Sequence, residues 1–265
     1  RGDFSKRIPV TSDDEIGVLA QSFNQMTNAL AELENMRRGF IANVSHDFKT
    51  PLTMIKAYSS MIIEISGEYP EKRNKHAQVV IEEADRLTSL VNDVLDLSKI
   101  SSGVEGIKPQ ALDMSAYVFE TLDRFSYYRE EQGYTFITDI DEGLYALADE
   151  IRIGQVLYNL IGNAVNYTGE DKKVYVRLKK DTDKSFRFSV TDTGKGIKQE
   201  EIAGIWERYY RSAETHKRPV RGTGLGLSIV KTILERHGLR YGVESELGKG
   251  STFYVIFPIA KTEYV

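Results

Sequence analysis

Three short glycine-rich segments in the C-terminal half have the composition of phosphate-binding loops. They are residues 192–196 (Asp-Thr-Gly-Lys-Gly), 222–227 (Gly-Thr-Gly-Leu-Gly-Leu) and 248–252 (Gly-Lys-Gly-Ser-Thr). Glycine lets backbone N–H groups approach phosphate oxygens, and a glycine loop that opens a helix adds the attraction of the helix N-terminus. One such segment is usually an ordinary turn, but three in order favour a nucleotide site. The spacings of a P-loop and of a dinucleotide fold are both missing, so another nucleotide fold is expected.

An asparagine-bearing helix is predicted upstream, over residues 150–165. Asn159, Asn163 and Asn166 are four and three residues apart, so they share one helical face. Taken alone, such a stripe is more often a solvated face, and that alternative stays open. Asparagine carbonyl oxygens are also suitable ligands for a Mg²⁺ ion that bridges phosphates.

His46 is the candidate phosphate acceptor in the N-terminal half. A lone histidine on a helix is usually a surface or core residue, but the neighbours of His46 distinguish it. Pro51 lacks the N–H that would bond the carbonyl of Asp47, so a kink is expected one turn after the histidine. A kink there allows two bundle packings to be biased, as a signalling switch requires. His76, His216 and His237 have no such neighbours and are predicted to be surface residues.

Apolar residues spaced by three and four predict a long first helix that positions His46. They are Ile16, Leu19, Phe23, Met26, Leu30 and Leu33, after N-cap chemistry in residues 11–15. The pattern lapses at Arg37 and resumes at Phe40, so one helix is expected to continue through His46. Residues 66–70 form a turn, and a second apolar helix follows. Such a hairpin leaves apolar surface uncovered, which predicts a dimeric four-helix bundle.

The composition of the chain changes after a linker predicted at residues 101–109. Helices near 114–132, 150–165 and 224–237 are expected to mix with strands at 174–178, 186–190, 241–245 and 251–257. This order indicates a two-layer α/β sandwich, because strict strand and helix alternation is missing. We therefore expect an α plus α/β chain divided into residues 1–35, 36–103 and 104–265.

Composition excludes several other kinds of protein. The 265 residues suffice for about two ordinary domains. The net charge of −4 provides no basic surface, so a nucleic-acid partner is not expected. Without cysteine the chain has no disulfide, catalytic thiol or thiolate metal site. It contains neither a bilayer-length apolar run nor a signal peptide, so the polypeptide is expected to be soluble.

The order of these segments resembles the N, G1, F, G2 and G3 boxes of sensor histidine kinases. The matching residues are 159–168, 192–196, 205–211, 222–227 and 248–253. These boxes define the Bergerat-type ATP fold, which type II topoisomerases, heat-shock chaperones and mismatch-repair ATPases share. In two places the chain departs from the pattern: Trp206 replaces the usual Phe, and Asn166 replaces a frequent Lys.

The resemblance implies a role for each matching residue. Asn163 would hold Mg²⁺, Asp192 would accept a hydrogen bond from the adenine amino group, and Tyr167 would line the base. The phosphates would lie on Gly222, Gly224 and Gly226, under a lid formed by residues 207–221. The cations of this lid could neutralise the triphosphate charge or could belong to a solvated loop, and that alternative stays open; Arg211 is the one chosen as phosphate contact and catalytic residue. Further nucleotide contacts are expected from Asn159, Asn166, Gly194, Gly196, Tyr210, Thr223, Leu225, Leu227 and Thr252.

Residues 40–52 resemble the phosphoacceptor H box of the same family. By this resemblance Asp47 takes a proton from His46, although spacing alone does not place adjacent helical residues face to face. Thr50 lies one turn after His46 and would position water that dephosphorylates a partner's aspartyl phosphate. The alternative, that Thr50 bonds a helix carbonyl, stays open.

The opening residues, 2–17 and 23–26, resemble the second half of a HAMP module. HAMP modules usually follow a transmembrane helix, so the chain is expected to be the cytoplasmic portion of an inner-membrane receptor.

These resemblances predict ATP- and Mg²⁺-dependent autophosphorylation of His46, followed by transfer to an aspartate of a response-regulator receiver domain. Phosphatase activity toward that regulator is also expected. An ATPase of the same fold is disfavoured, because its catalytic Glu is replaced by Asn159 and an amide cannot deprotonate water. An inactive dimerising scaffold and a protein that acts mainly as a phosphatase are the remaining alternatives.

Overall fold

The computed structural model describes residues 4, 6–102, 106–207 and 224–260, without the side chains of 101 and 102. The chain divides into two compact units, Arg1–Thr88 and Ser89–Val265. Among the described residues, no helix is long and apolar enough to cross a bilayer.

Two long helices dominate the first unit. Helix α1, Glu15–Met61, is continuous over 47 residues, which confirms that one helix carries His46. It begins at Asp14, whose carboxylate accepts hydrogen bonds from the N–H groups of Ile16 and Gly17. A π-helical segment, Ile62–Ser66, ends α1, and α2 runs over Pro70–Ser102. The predicted turn therefore begins as a widened helical turn.

Besides the last turns of α2, the second unit contains seven strands and four helices among its described residues. The strands are β1 (Gln110–Asp113), β2 (Thr135–Ile140), β3 (Tyr145–Ala148), β4 (Lys173–Thr182), β5 (Ser185–Asp192), β6 (Arg240–Glu246) and β7 (Gly250–Pro258). The helices are α3 (Met114–Asp123), α4 (Ser126–Glu130), α5 (Glu150–Tyr167) and α6 (Gly226–Arg236). The predicted helix over 114–132 is thus interrupted, because Phe125 turns inward and contacts Phe136 and Tyr158.

The sheet is mixed rather than parallel. Its order is β2-β4-β5-β7-β6, and β2 alone pairs in parallel, with β4. Strands β1 and β3 form a separate antiparallel pair. Alternate residues of β4, β5 and β7 face the buried side of α5 and α6, namely Val174, Val176, Leu178, Phe186, Phe188, Val190, Phe253, Val255 and Phe257. This confirms the two-layer α/β sandwich.

Candidate functional site

His46 lies on the exposed surface of α1. Its side chain is 80% exposed, and its Nδ1 atom is 3.4 Å from Oδ1 of Asp47. Adjacent helical side chains usually diverge, so this contact was not predictable from spacing. A carboxylate beside Nδ1 favours the tautomer that carries its proton there, which leaves the lone pair of Nε2 free to attack an electrophile.

The next turn of α1 carries Thr50 and Pro51. The Thr50 hydroxyl is 3.4 Å from the carbonyl oxygen of His46, at the long limit of a hydrogen bond. The buried Pro51 lies within α1 and provides no N–H to the carbonyl of Asp47. A groove of about 550 Å³ follows one face of this stretch and is lined by Ser45, Phe48, Lys49, Leu52, Thr53 and Lys56.

Asp192 ends the central strand β5 and is 3% exposed. The N–H of Gly194 donates to its Oδ1 at 2.8 Å, and the backbone of Ser251 provides a second hydrogen bond. Burial nevertheless raises the pKa of Asp192 to about 6, because desolvation of the carboxylate outweighs both bonds. A carboxylate this poorly solvated is suited to accept a hydrogen bond from an amine.

The described glycine segments pack backbone against backbone around Asp192. A Cβ atom on Gly194 would lie 2.0 Å from the carbonyl oxygen of Tyr167, and one on Gly250 would lie 2.0 Å from that of Asp192. Gly196 has a φ of +74°, and its Cβ would lie 2.1 Å from the carbonyl oxygen of Glu246. Residues 192–196 therefore fit between the end of α5 and the β6–β7 hairpin only because glycine lacks a side chain.

The asparagines of α5 lie beside the start of α6. Asn159 and Asn163 are half-buried, while Asn166 and Tyr167 are exposed. A Cβ on Gly226 would lie 3.2 Å from Oδ1 of Asn159. Helix α6 begins after Leu225 without a side-chain cap, and Gly224 before it has a φ of +70°. A helix N-terminus of this kind attracts phosphate oxygens.

Comparisons with known proteins agree with this geometry. Residues 1–32 match the HAMP domain, and residues 36–103 match the His Kinase A (phospho-acceptor) domain. Residues 148–261 match the histidine kinase-, DNA gyrase B- and HSP90-like ATPase family. Sensor histidine kinase MtrB of Mycobacterium tuberculosis is 32% identical, over 98% of this chain and 47% of that protein. The chain belongs to the sensor histidine kinases of two-component systems. Residues 148–261 accordingly belong to an ATP-binding domain of this kinase.

Other relatives and solved structures show the same family likeness. Sensor histidine kinase YkoH of Bacillus subtilis is 34% identical, over 93% of this kinase and 53% of the relative. The kinase therefore spans about half the length of the curated relatives it matches. Histidine kinase ThkA, solved in complex with response regulator protein TrrA, aligns with a TM-score of 0.69 and 25% identity over 94% of this kinase and 68% of that chain. Full-length ShkA in complex with AMPPNP aligns with a TM-score of 0.62 and 29% identity, over 84% and 46% of the two chains.

Four predicted nucleotide contacts lie outside the described residues: Tyr210, Arg211, Gly222 and Thr223. The residues just before them are firmly packed. The Trp206 ring contacts the rings of Tyr241 and Phe253 edge to face, at 4.8 and 5.8 Å between centroids. Glu207 pairs with Lys231 of α6 at 2.8 Å. Trp206 thus packs the last described residues before this gap against β6 and β7.

The prediction for Thr252 is altered by the alternation of β7. The Thr252 hydroxyl is 2.8 Å from that of Thr191, so both face the side of the sheet opposite to Asp192. Ser251 is the residue that pairs with the end of β5 and bonds the Asp192 carboxylate through its backbone. In the sequence, the large apolar residues Phe253, Val255 and Phe257 alternate with other residues, and this alternation already indicates which residues of β7 face inward. Ser251, and not Thr252, therefore lies beside Asp192.

Two histidines predicted to be surface residues are half-buried, so that prediction was wrong. His76 accepts or donates a hydrogen bond with the buried Ser66 at 3.0 Å and contacts the Tyr58 ring edge to face. His237 accepts a hydrogen bond on Nε2 from the N–H of Asp149 at 3.2 Å. Both histidines therefore stabilise the local structure through these contacts. His216 lies outside the described residues.

Among the described residues, no cluster of three or more His, Cys, Asp or Glu could hold a metal ion.

Proposed function

We propose that the kinase uses ATP and Mg²⁺ to phosphorylate Nε2 of His46, then passes the phosphoryl group to an aspartate of a response-regulator receiver domain. The observation that carries this proposal is the contact between Nδ1 of His46 and the Asp47 carboxylate, with the rest of the imidazole exposed. That arrangement suits an acceptor that must reach a nucleotide held elsewhere.

In the proposed step, Nε2 of His46 attacks the γ-phosphorus of ATP. The Nε2–P bond forms as the bond to the bridging oxygen breaks, and ADP leaves with that oxygen. Asp47 stabilises the positive charge that develops on the imidazole and takes the Nδ1 proton. Phosphoryl transfer depends mainly on positioning and charge neutralisation, so it requires little proton chemistry from the protein. His46 and Asp47 suffice for that proton chemistry.

The nucleotide site is proposed around the end of β5. Asp192 would accept a hydrogen bond from the adenine amino group, and Tyr167 would lie against the base. The N-terminus of α6, from Gly224 to Leu227, would hold the phosphates, together with Arg211 of the lid. Mg²⁺ would be held by the amide oxygen of Asn163 and by phosphate oxygens, where it neutralises their charge.

The response regulator is proposed to bind beside His46. The groove on α1 is lined by two apolar side chains, Phe48 and Leu52, and by the cations Lys49 and Lys56. Cations beside an apolar groove suit a receiver domain that presents a carboxylate to His46. ThkA, which this kinase resembles, was solved in complex with response regulator protein TrrA.

A homodimer is proposed because the apolar face of α1 is uncovered in a single chain. Ile16, Leu19, Met26 and Leu33 are all more than half exposed. A second copy would cover this seam as a coiled coil and complete a four-helix bundle. Attachment to a membrane receptor through a HAMP module is proposed from the match over residues 1–32.

Phosphatase activity toward the phosphorylated regulator is a further part of the proposal. The Thr50 hydroxyl lies one turn after His46 and makes only a long contact of 3.4 Å to a helix carbonyl. It is therefore available to orient water toward a partner's aspartyl phosphate. Replacing Thr50 with Ala should abolish dephosphorylation of the regulator and leave labelling of His46 intact.

The deciding experiment is incubation with γ-labelled ATP and Mg²⁺, scoring acid-labile and alkali-stable label on the protein. We expect label on the parent, none on His46→Gln, and strongly reduced label on Asp47→Asn. The matched control is His76→Gln, which replaces a histidine away from the reaction and should keep the label. An unlabelled parent that binds ATP would point to the inactive scaffold, and release of free phosphate would point to the ATPase.

A further inference from the structure

Thr193 lies between two residues assigned to the nucleotide site but has no assigned role of its own. Its hydroxyl is 2.9 Å from the hydroxyl of Thr168, the C-cap residue of α5, and it accepts from the N–H of Gly169 at 3.3 Å. The N–H of Thr193 donates in turn to Oγ1 of Thr168 at 3.3 Å. The two threonines thus join residues 192–196 to the end of the asparagine helix.

Asp171 completes this network from the loop between α5 and β4. The Thr193 hydroxyl donates to Oδ1 of Asp171, which also accepts from the N–H of Lys173 at 3.3 Å. The hydrogen bond from Thr193 is the main reason that the pKa of Asp171 lies below its usual value. Lys172, next to it, has a φ of +50°, a left-handed conformation that non-glycine residues rarely adopt. The loop therefore holds an unfavourable backbone conformation while Asp171 faces Thr193.

We propose that Thr193, supported by Thr168 and Asp171, is a positioning residue that fixes the Asp192 carboxylate relative to the asparagine helix and so sets the affinity for adenine. We call these three side chains the threonine clasp. The inference rests on the proposed nucleotide site and adds a residue to it.

The contacts of Gly194 explain how the threonine clasp acts on the Asp192 carboxylate. Gly194 follows Thr193, and its Cα approaches the carbonyl of Tyr167 so closely that a side chain would not fit. The N–H of Gly194 donates to Asp192 at 2.8 Å. Any separation of Thr193 from Thr168 therefore moves the group that orients the Asp192 carboxylate. The opposite side of the loop cannot compensate, because it is fixed to the β6–β7 hairpin by the bond from the Gly248 N–H to the carbonyl of Lys195 at 2.6 Å.

The test compares nucleotide binding by Thr193→Val, Thr193→Ser and Asp171→Asn. Valine keeps the shape of threonine and removes the hydroxyl, whereas serine keeps the hydroxyl. We expect Thr193→Val to weaken ATP binding about tenfold, equivalent to about 1.4 kcal/mol, and Thr193→Ser to restore most of it. Asp171→Asn should weaken binding roughly twofold to threefold, because this hydrogen bond is exposed to solvent. The matched control is Thr182→Val, which removes a hydroxyl paired with Ser185 in the β4–β5 hairpin and should bind ATP like the parent.

Two further readouts separate positioning from simple destabilisation. Inosine triphosphate lacks the amino group that would donate a hydrogen bond to Asp192. The Thr193→Val substitution should therefore weaken binding of inosine triphosphate much less than binding of ATP. Thermal unfolding of the ligand-free variants should stay close to that of the parent.

Unchanged ATP affinity in Thr193→Val would overturn the proposal, as would an equal loss for both nucleotides or a failure of serine to restore binding. Calorimetry measures nucleotide binding, and its result does not depend on phosphoryl transfer to His46. A parent that binds ATP but leaves His46 unlabelled would therefore refute the kinase mechanism while still testing the clasp.

Discussion

The two units of the kinase bury their apolar residues in opposite ways. Helix α1 buries only Gly17, Ala20, Thr27 and Pro51 among its residues, and most of its large apolar side chains remain exposed. The sheet of the second unit buries Phe186, Phe188 and Phe257 completely. The second unit is thus stabilised by its own core, whereas the first requires another surface to cover its seam. Phosphoacceptor and nucleotide site therefore differ in what holds them in place.

The largest expected effect comes from removing a core side chain of the second unit. Phe188→Ala should lower the free energy of unfolding by about 3–5 kcal/mol, because it leaves a cavity in the middle of the sheet. Phe119→Ala, at a position that is 49% exposed, is the control and should cost less than about 1 kcal/mol. Denaturant unfolding of the two variants measures the difference. Similar losses would mean that the second unit does not depend on a single core.

A charge placed on the seam should affect assembly of the first unit without weakening the second. Leu30→Asp would place two carboxylates in the expected coiled coil, so the dimer should dissociate at least about tenfold more readily. Gln25→Asp, an exposed position off the seam, is the control. Analytical ultracentrifugation measures association, and calorimetry checks that ATP still binds. A dimer that resists Leu30→Asp would place the interface elsewhere.

The burial of Asp192 predicts a pH dependence confined to the second unit. Its pKa is raised to about 6 in the folded state, so ligand-free stability should decline as pH rises from about 4 to about 6 and then level off. Affinity for ATP should change in the opposite direction, falling by up to about tenfold per unit as pH drops below 6, because the ionised carboxylate is the stronger acceptor.

Calorimetric titrations between pH 5 and 7.5, with inosine triphosphate as the reference for phosphate titration, measure this change. Asp192→Asn should bind ATP weakly and without the extra pH dependence. If the ratio of the two affinities stays constant with pH, Asp192 does not contact the adenine amine.

The smallest effect should come from the last turns of α2, which belong to the second unit. Asp96 accepts a hydrogen bond from Gln155 at 2.9 Å and lies 3.8 Å from Nη1 of Arg152. Asp96→Ala should destabilise the second unit by about 1 kcal/mol, because the pair is partly exposed. Hydrogen exchange of residues 89–102 would report the loosening directly. Unchanged exchange would show that Leu97 and Ile100, both buried, hold the helix by themselves.

Sequence patterns predicted the elements that carry strong periodicity. Helix α5 and strands β4, β5 and β7 were found because their apolar residues recur at the spacing of a helix or a strand that is buried on one face. Strands β1 and β3 are each four residues long, and β2 mixes Thr and Asp with its apolar residues, so none was predicted.

His46 and Asp192 were chosen because a motif fixes their residue types, and their roles stay predictions. The contact between His46 and Asp47 depends on side-chain rotamers that spacing does not determine. The role inferred for Thr193 depends on its distance from Thr168, which is 25 residues away in the chain. Thr252 was chosen from the motif alone, although strand alternation places its side chain on the face of the sheet opposite to Asp192.

The uninterrupted length of α1 has a mechanical consequence. With a rise of about 1.5 Å per residue, its 47 residues form a helix about 70 Å long. Torque applied near Glu15 is transmitted to His46 without passing a proline, because Pro51 comes after the histidine. A rotation of α1 by a few degrees near Glu15 would therefore change the direction that the imidazole of His46 faces.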